Sequence, residues 1–174
     1  QHKGRAFALF RHPVDRAVSL FYYRQIADWE KKEGVYRPEL AEIEIQSWFE
    51  KRKNSKENGG YMVSLILNKD RKEQITEEDM VIAKRILREK YLVGLTNEMV
   101  ESIERFDKYF GWYDNEQRPT CQDLFIIKGK NSNAHKKVEE GSDVWNLIAA
   151  NHAADVELYD YAVELFEEQR ALFL

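Results

Sequence analysis

Five consecutive apolar residues, Ala6-Phe7-Ala8-Leu9-Phe10, run directly into Arg11-His12-Pro13-Val14-Asp15. This junction constrains the fold more than any other stretch of the chain. An unbroken apolar run bounded by charge reads as a short strand buried on both faces, as in a parallel sheet. Pro13 suits the first position of a helix, because its missing N–H is not needed there and its ring presets φ. Asp15 in the first turn complements the positive end of the helix dipole. Val14, Ala17, Val18, Phe21, Tyr22 and Ile26 then recur at three- and four-residue spacing, which gives one apolar stripe on a helix from Pro13 to about Asp28. Strand therefore passes to helix at Arg11, beside amide N–H groups that favour an anion. Ser19 follows about six helical residues later, roughly 9 Å along the axis. A guanidinium and a hydroxyl converge on one phosphate only if the Arg11 side chain extends along the helix. The alternative, in which Arg11 pairs with a carboxylate and Ser19 is merely tolerated, stays open at this point.

The 174 residues suffice for one domain with a real core. The hydrophobic content of 43% and aromatic content of 13% set the chain apart from disordered segments. A formal charge of -4 argues against general nucleic-acid binding, which needs a broad basic surface. It leaves room for a nucleotide held by a few local cations. Cys121 is the only cysteine, which rules out an internal disulfide and a cysteine-based metal site. His2, His12, His135 and His152 have no ligand-like spacing, so no metal is expected. No apolar run approaches the ~18 residues of a membrane span. The chain opens without Met, a few residues before a strand that needs neighbours on both sides. It reads as a fragment, with any targeting signal or membrane anchor before Gln1.

Further along, Lys31-Lys32-Glu33-Gly34 breaks the first helix and Pro38 marks a loop. Ile43, Ile45, Trp48 and Phe49 fit a short helix, although Ile43 and Ile45 also alternate like a strand. Lys51 to Lys56 reads as a solvated loop without a special anion site. Asn58-Gly59-Gly60 signals a turn before Tyr61-Met62-Val63-Ser64-Leu65-Ile66-Leu67, a helix or a strand by its own pattern. Thr76 opens a helix carrying Met80, Ala83, Ile86 and Leu87. Tyr91-Leu92-Val93-Gly94-Leu95 is a second buried strand, after which Thr96 or Asn97 caps a helix that Gly111 ends. Asp114 to Thr120 reads as a loop and Leu124-Phe125-Ile126-Ile127 as a brief extended piece. Ser142 opens a short helix with Val144, Trp145 and Ile148. A long final helix bears Tyr159, Ala162, Val163, Phe166 and Phe173 on one face, and Asp155 to Tyr159 within it reads as packing. The order implies an α/β fold with few parallel strands and a helix-rich remainder. Two strands are too few for a stable sheet of that type, so further strands are expected outside the chain.

Arg11-His12-Pro13-Val14-Asp15-Arg16-Ala17-Val18-Ser19 resembles the 3′-phosphate-binding motif of sulfotransferases that use 3′-phosphoadenosine 5′-phosphosulfate (PAPS). Leu92-Val93-Gly94-Leu95-Thr96-Asn97-Glu98 is similar to a later segment of that family, where a short strand ends in Gly and a polar–acidic pair. Asn133, His135, Lys136 and Lys137 occupy the place of a loop whose Lys or Arg closes over the nucleotide phosphates, with Lys136 preferred. The final helix resembles that of carbohydrate sulfotransferases, and the family favours a helix over Tyr61–Leu67. The resemblance implies that residues 1–174 are the C-terminal part of a single sulfotransferase domain with an incomplete P-loop-type fold. It implies transfer of a sulfuryl group from PAPS, without a metal, to a hydroxyl acceptor such as a glycan. Arg11, Ser19, His135, Lys136 and Lys137 are the implied nucleotide-binding residues. A eukaryotic member would work in the Golgi, tethered only through an anchor before Gln1.

None of the eight glycines lies in a Gly- and Lys-containing phosphate loop, so the 5′-phosphosulfate cradle has no counterpart here and the fragment is expected to be inactive alone. No catalytic base is assigned: His2 lies too close to the strand, and His12 is expected to cap the helix. Ser64 stands where relatives often carry a basic residue, which weakens acidic-glycan recognition at that point. Two other readings remain: a different P-loop-type nucleotide enzyme such as a small-molecule kinase, and a non-catalytic helical interaction domain in which Arg11 is structural.

Overall fold

The computed structural model of the protein describes residues 4–53, 60–112, 116–129 and 134–173. Strand β1 (Ala6–Phe10) leads into helix α1 (Pro13–Ile26), followed by α2 (Ile45–Arg52), α3 (Tyr61–Leu67) and α4 (Glu77–Lys90). Strand β2 (Tyr91–Leu95) comes next, then α5 (Met99–Phe110), α6 (Arg118–Cys121), α7 (Asp143–Asn151) and α8 (Ala153–Glu168). The described part of the chain is mostly helical with one small parallel sheet, compatible with an α/β class. Among the described residues, no helix is long and apolar enough to cross a membrane.

The chain divides into two compact units. The first takes its described residues from 1–11, 77–132 and 158–174. Here β1 and β2 pair in parallel, with Ala6 opposite Tyr91 and Phe10 opposite Leu95. The side chains of α4 and α5 cover β2, whose Leu92, Val93 and Leu95 are buried with Leu87 and Phe106. On the edge of β2 turned away from β1, side chains replace a strand. Gln169 accepts from the Val93 N–H at 2.9 Å and donates to the Tyr91 carbonyl at 2.9 Å. The Ser102 hydroxyl accepts from the Leu95 N–H at 2.9 Å and donates to the Leu95 carbonyl at 3.1 Å. These contacts satisfy backbone groups that would otherwise be buried without partners.

Strand β1 is where expectation, the two-faced burial of an apolar run, and structure part. Phe7 is 49% and Leu9 41% exposed, and only Phe10 of the strand is buried. The cause is the sheet itself: among the described residues β1 has a single neighbour, β2. Phe7 compensates in part by packing on the rings of Phe106, Phe110 and Trp112 at 5.0, 6.0 and 5.6 Å. The second correction concerns residues 118–127. Arg118–Cys121 is a turn of α-helix in place of a loop, and Gln122–Ile127 continues as a wide π-type turn in place of an extended piece. Pro119 sits at the start of that helix, where its missing N–H costs nothing, and the Arg118 fork on buried Asp107 ties it down. A third is small: Thr96–Glu98 forms a 3₁₀ turn, and α5 begins without a side-chain cap from Thr96 or Asn97. Gly111 ends α5 as expected, with φ of 71° that a side chain would strain.

The second unit comprises the described residues of 12–76 and 133–157. Its core joins Val14, Ala17 and Val18 of α1 to Phe49 of α2 and Ile148 of α7. His12 caps α1 as expected, its Nδ1 accepting from the Val14 N–H at 3.3 Å while Pro13 takes the first helical position. Ser142 caps α7 in the same way, accepting from the Trp145 N–H at 3.2 Å. The ambiguous stretches at Ile45 and Tyr61 are both helical, and α2 extends to Arg52, into the residues expected to be a solvated loop. The turn expected at Asn58-Gly59 and the remainder of that loop, residues 54–56, lie outside the described residues.

Candidate functional site

Arg11 is half-buried and follows β1 at the end of the N-terminal segment of the first unit. Ser19 is half-buried on α1 in the second unit. The strand–turn–helix sequence expected around them is present: β1 stops at Phe10, His12 caps and Pro13 begins the helix. His2 and Asn133 lie outside the described residues.

Within the second unit, the basic loop meets α1. The His135 ring stacks on Tyr22 with 5.2 Å between centroids and 13° between planes. The His135 Nδ1 is 2.9 Å from the Lys136 carbonyl. Because Ser19 and Tyr22 are three residues apart on one helix, they are surface neighbours, so the loop docks one turn from Ser19. His135 and Lys136 line a cavity of about 470 Å³ together with Gln25, Leu40 and Glu44, and Lys137 is exposed outside that lining. Ser64, by contrast, is buried within α3. Among the described residues, no group of three or more His, Cys, Asp and Glu side chains comes together to hold a metal ion.

A charged cluster in the same unit went unanticipated. Asp155, at the start of α8, is fully buried. Its Oδ1 accepts from the Met62 N–H at 2.8 Å and the Val63 N–H at 3.4 Å, which caps the first turn of α3. That helix needs an outside acceptor because Gly60 at its start has no side chain to offer. Asp155 Oδ2 lies 3.7 Å from the Arg16 guanidinium. Burial raises the Asp155 carboxyl above the ordinary range, against the pull of the Met62 amide, Arg16 and the Val63 amide. One turn earlier, burial pushes the His152 imidazole below its ordinary value, with the Arg16 and Arg52 charges acting in the same direction. The His152 Nδ1 lies 2.9 Å from the Ile148 carbonyl.

The sign of the His152 effect follows from linkage. A group whose pKa is depressed by folding contributes stability that is present above its unfolded value, about 6.5, and is lost as pH falls through its folded value. Acidification from pH 7.5 to 5.5 is therefore expected to lower the melting temperature, and His152→Gln to shrink that drop. An equal drop in both proteins, measured by circular dichroism, would assign the acid sensitivity elsewhere. Asp155 works in the opposite sense at lower pH, since a raised carboxyl pKa makes the fold gain stability as that group protonates.

Arg16 is far in sequence from His152 and Asp155, which stand one helical turn apart, and the stretch from Asp155 to Tyr159 reads as packing in the sequence. No family model, no curated protein and no solved structure matches this chain.

Proposed function

We propose that the protein takes part in sulfuryl transfer from PAPS to a hydroxyl acceptor, a glycan being the acceptor class that the sequence resemblance favours. In this reading Arg11 and Ser19 hold the 3′-phosphate of the nucleotide. The loop at His135 and Lys136 lies over its phosphates. The observation that carries the reading is the docking of that loop on Tyr22, one helical turn from Ser19. A phosphate-closing loop and a phosphate-holding hydroxyl have to share a neighbourhood, and the contact of His135 with Tyr22 is consistent with that requirement. The uninterrupted passage from β1 through the His12 cap into α1 supports it as well, since an anion is favoured beside the first-turn amides.

In the transfer itself the acceptor hydroxyl attacks sulfur in line, a base takes its proton, and the leaving phosphate departs with the bridging electron pair. The residues identified here grip the donor and leave those steps to groups not assigned in this sequence. Arg11→Ala is expected to weaken binding of adenosine 3′,5′-bisphosphate by about 10- to 150-fold, the loss of one charge-assisted phosphate contact worth about 1.5–3 kcal/mol. Titration calorimetry reads this directly, with circular dichroism checking that the variant is folded. Unchanged affinity would remove the main support. Binding of adenosine 3′,5′-bisphosphate that survives excess chelator separates this reading from a Mg²⁺-dependent kinase.

A further inference from the structure

The second unit contains a cavity of about 530 Å³ whose wall carries Arg16, Arg24, Arg52, Arg71 and Lys72, with Asp70 as its carboxylate. The whole chain has a formal charge of -4, so this is a local concentration of the opposite sign. Aromatic rings hold the guanidiniums in place. Arg16 and Arg71 lie over the Tyr61 ring at 4.3 and 4.5 Å, and Arg52 lies over Trp48 at 5.0 Å. Stacking of this kind engages the face of a guanidinium and leaves its geometry suited to paired N–H contacts with oxyanions. Asp155, fully buried and outside the lining, lies 3.7 Å from the Arg16 guanidinium. Arg71 and Lys72 make no ion pair with a described residue.

Arg71 and Lys72 stand exposed at this wall, and a ligand with two or more negative charges engages both of them together with the neighbouring guanidiniums, where a single charge engages only part of the cluster. The volume lies in the range of small-molecule sites, and the concave, bounded wall differs from the broad basic face that nucleic acid requires. We propose that this cavity binds a small polyanion carrying two or more sulfate, phosphate or carboxylate groups on one scaffold. The site is separate from the residues assigned to the nucleotide, because Ser19, His135 and Lys136 do not line it. It also places Arg52 in an anion site, where the charge run at Lys51 to Lys56 gave no reason to expect one.

The test is calorimetric titration of the protein with two probes, a trisulfated disaccharide and inorganic tripolyphosphate, beside the unsulfated disaccharide as a control. Both exposed cations, Arg71 and Lys72, are changed together in Arg71→Gln/Lys72→Gln. The expected result is binding of at least one polyanion, none of the control, and affinity at least 10-fold weaker in the double variant. Preference for the sulfated disaccharide assigns a saccharide source, and preference for tripolyphosphate a phosphate source. Absence of binding by both polyanions overturns the proposal, as does equal binding by wild type and double variant. Loss of adenosine 3′,5′-bisphosphate binding in the double variant would also overturn it, since the cavity would then belong to the nucleotide. Failure of the Arg11→Ala test leaves this site untouched, so the two ideas fall separately.

Discussion

Asp155→Ala is expected to lower stability by about 2–4 kcal/mol, chiefly the cost of leaving two buried amides without their acceptor. The carboxylate does two jobs at once. Through Oδ1 it accepts from the Met62 and Val63 amides at the start of α3, and through Oδ2 it faces Arg16 at 3.7 Å. Alanine leaves two first-turn N–H groups without their acceptor in a site where Met62 and Val63 are themselves buried, and each such loss costs about 1–3 kcal/mol. Asp155→Asn keeps an acceptor for the amides and removes a charge that burial disfavours, so its loss should be much the smaller of the two. Urea unfolding of the three proteins measures the series. A change within about 1 kcal/mol for alanine, the size of an ordinary surface substitution, would mean that the carboxylate does not cap α3.

Gly94→Ala is the second large effect, at about 3 kcal/mol from overpacking. A Cβ there would lie 2.5 Å from Phe106 Cζ, 2.9 Å from Ser102 Cβ and 3.1 Å from Leu9 Cδ1. The two nearest of these neighbours do not move cheaply. Phe106 is buried and touches the Phe7 ring at 5.0 Å. Ser102 is fastened to both backbone groups of Leu95. The glycine at the middle of β2 is therefore a spacing requirement: it lets α5 lie close on the strand. Adding Phe106→Leu to Gly94→Ala should recover part of the lost melting temperature, and a double variant no better than the single one would place the strain elsewhere.

Much of the local structure was legible because its signals are local. Pro13, the apolar stripe from Val14 to Phe21, the Ser142 cap and the glycine stop at Gly111 each act within a turn or two and appear as read, while Ile26 at the end of the expected stripe is exposed. Leu124 to Ile127 misled because a four-residue apolar run has no period to measure. Phe7 and Leu9 misled for another reason: an apolar run records a preference for burial and not the number of strands available to provide it. The site divides the same way. The basic loop at His135 and Lys136 is visible in the sequence, but the contact of His135 with Tyr22 of α1 is not. Asp155 was invisible as a cap because its partner amide at Met62 is 93 residues away. The cations at 16, 24, 52, 71 and 72 are scattered along the sequence, and only the fold collects them.

Gln169 and Ser102 have a consequence for assembly. By occupying the outward backbone groups of Tyr91, Val93 and Leu95, they make β2 a closed rim that offers no ladder to another strand. Growth of this sheet is one-sided: a strand from any source has to enter alongside β1. The hazard that open strand edges carry, edge-to-edge aggregation, is confined to that same rim, where the exposed Phe7 and Leu9 stand.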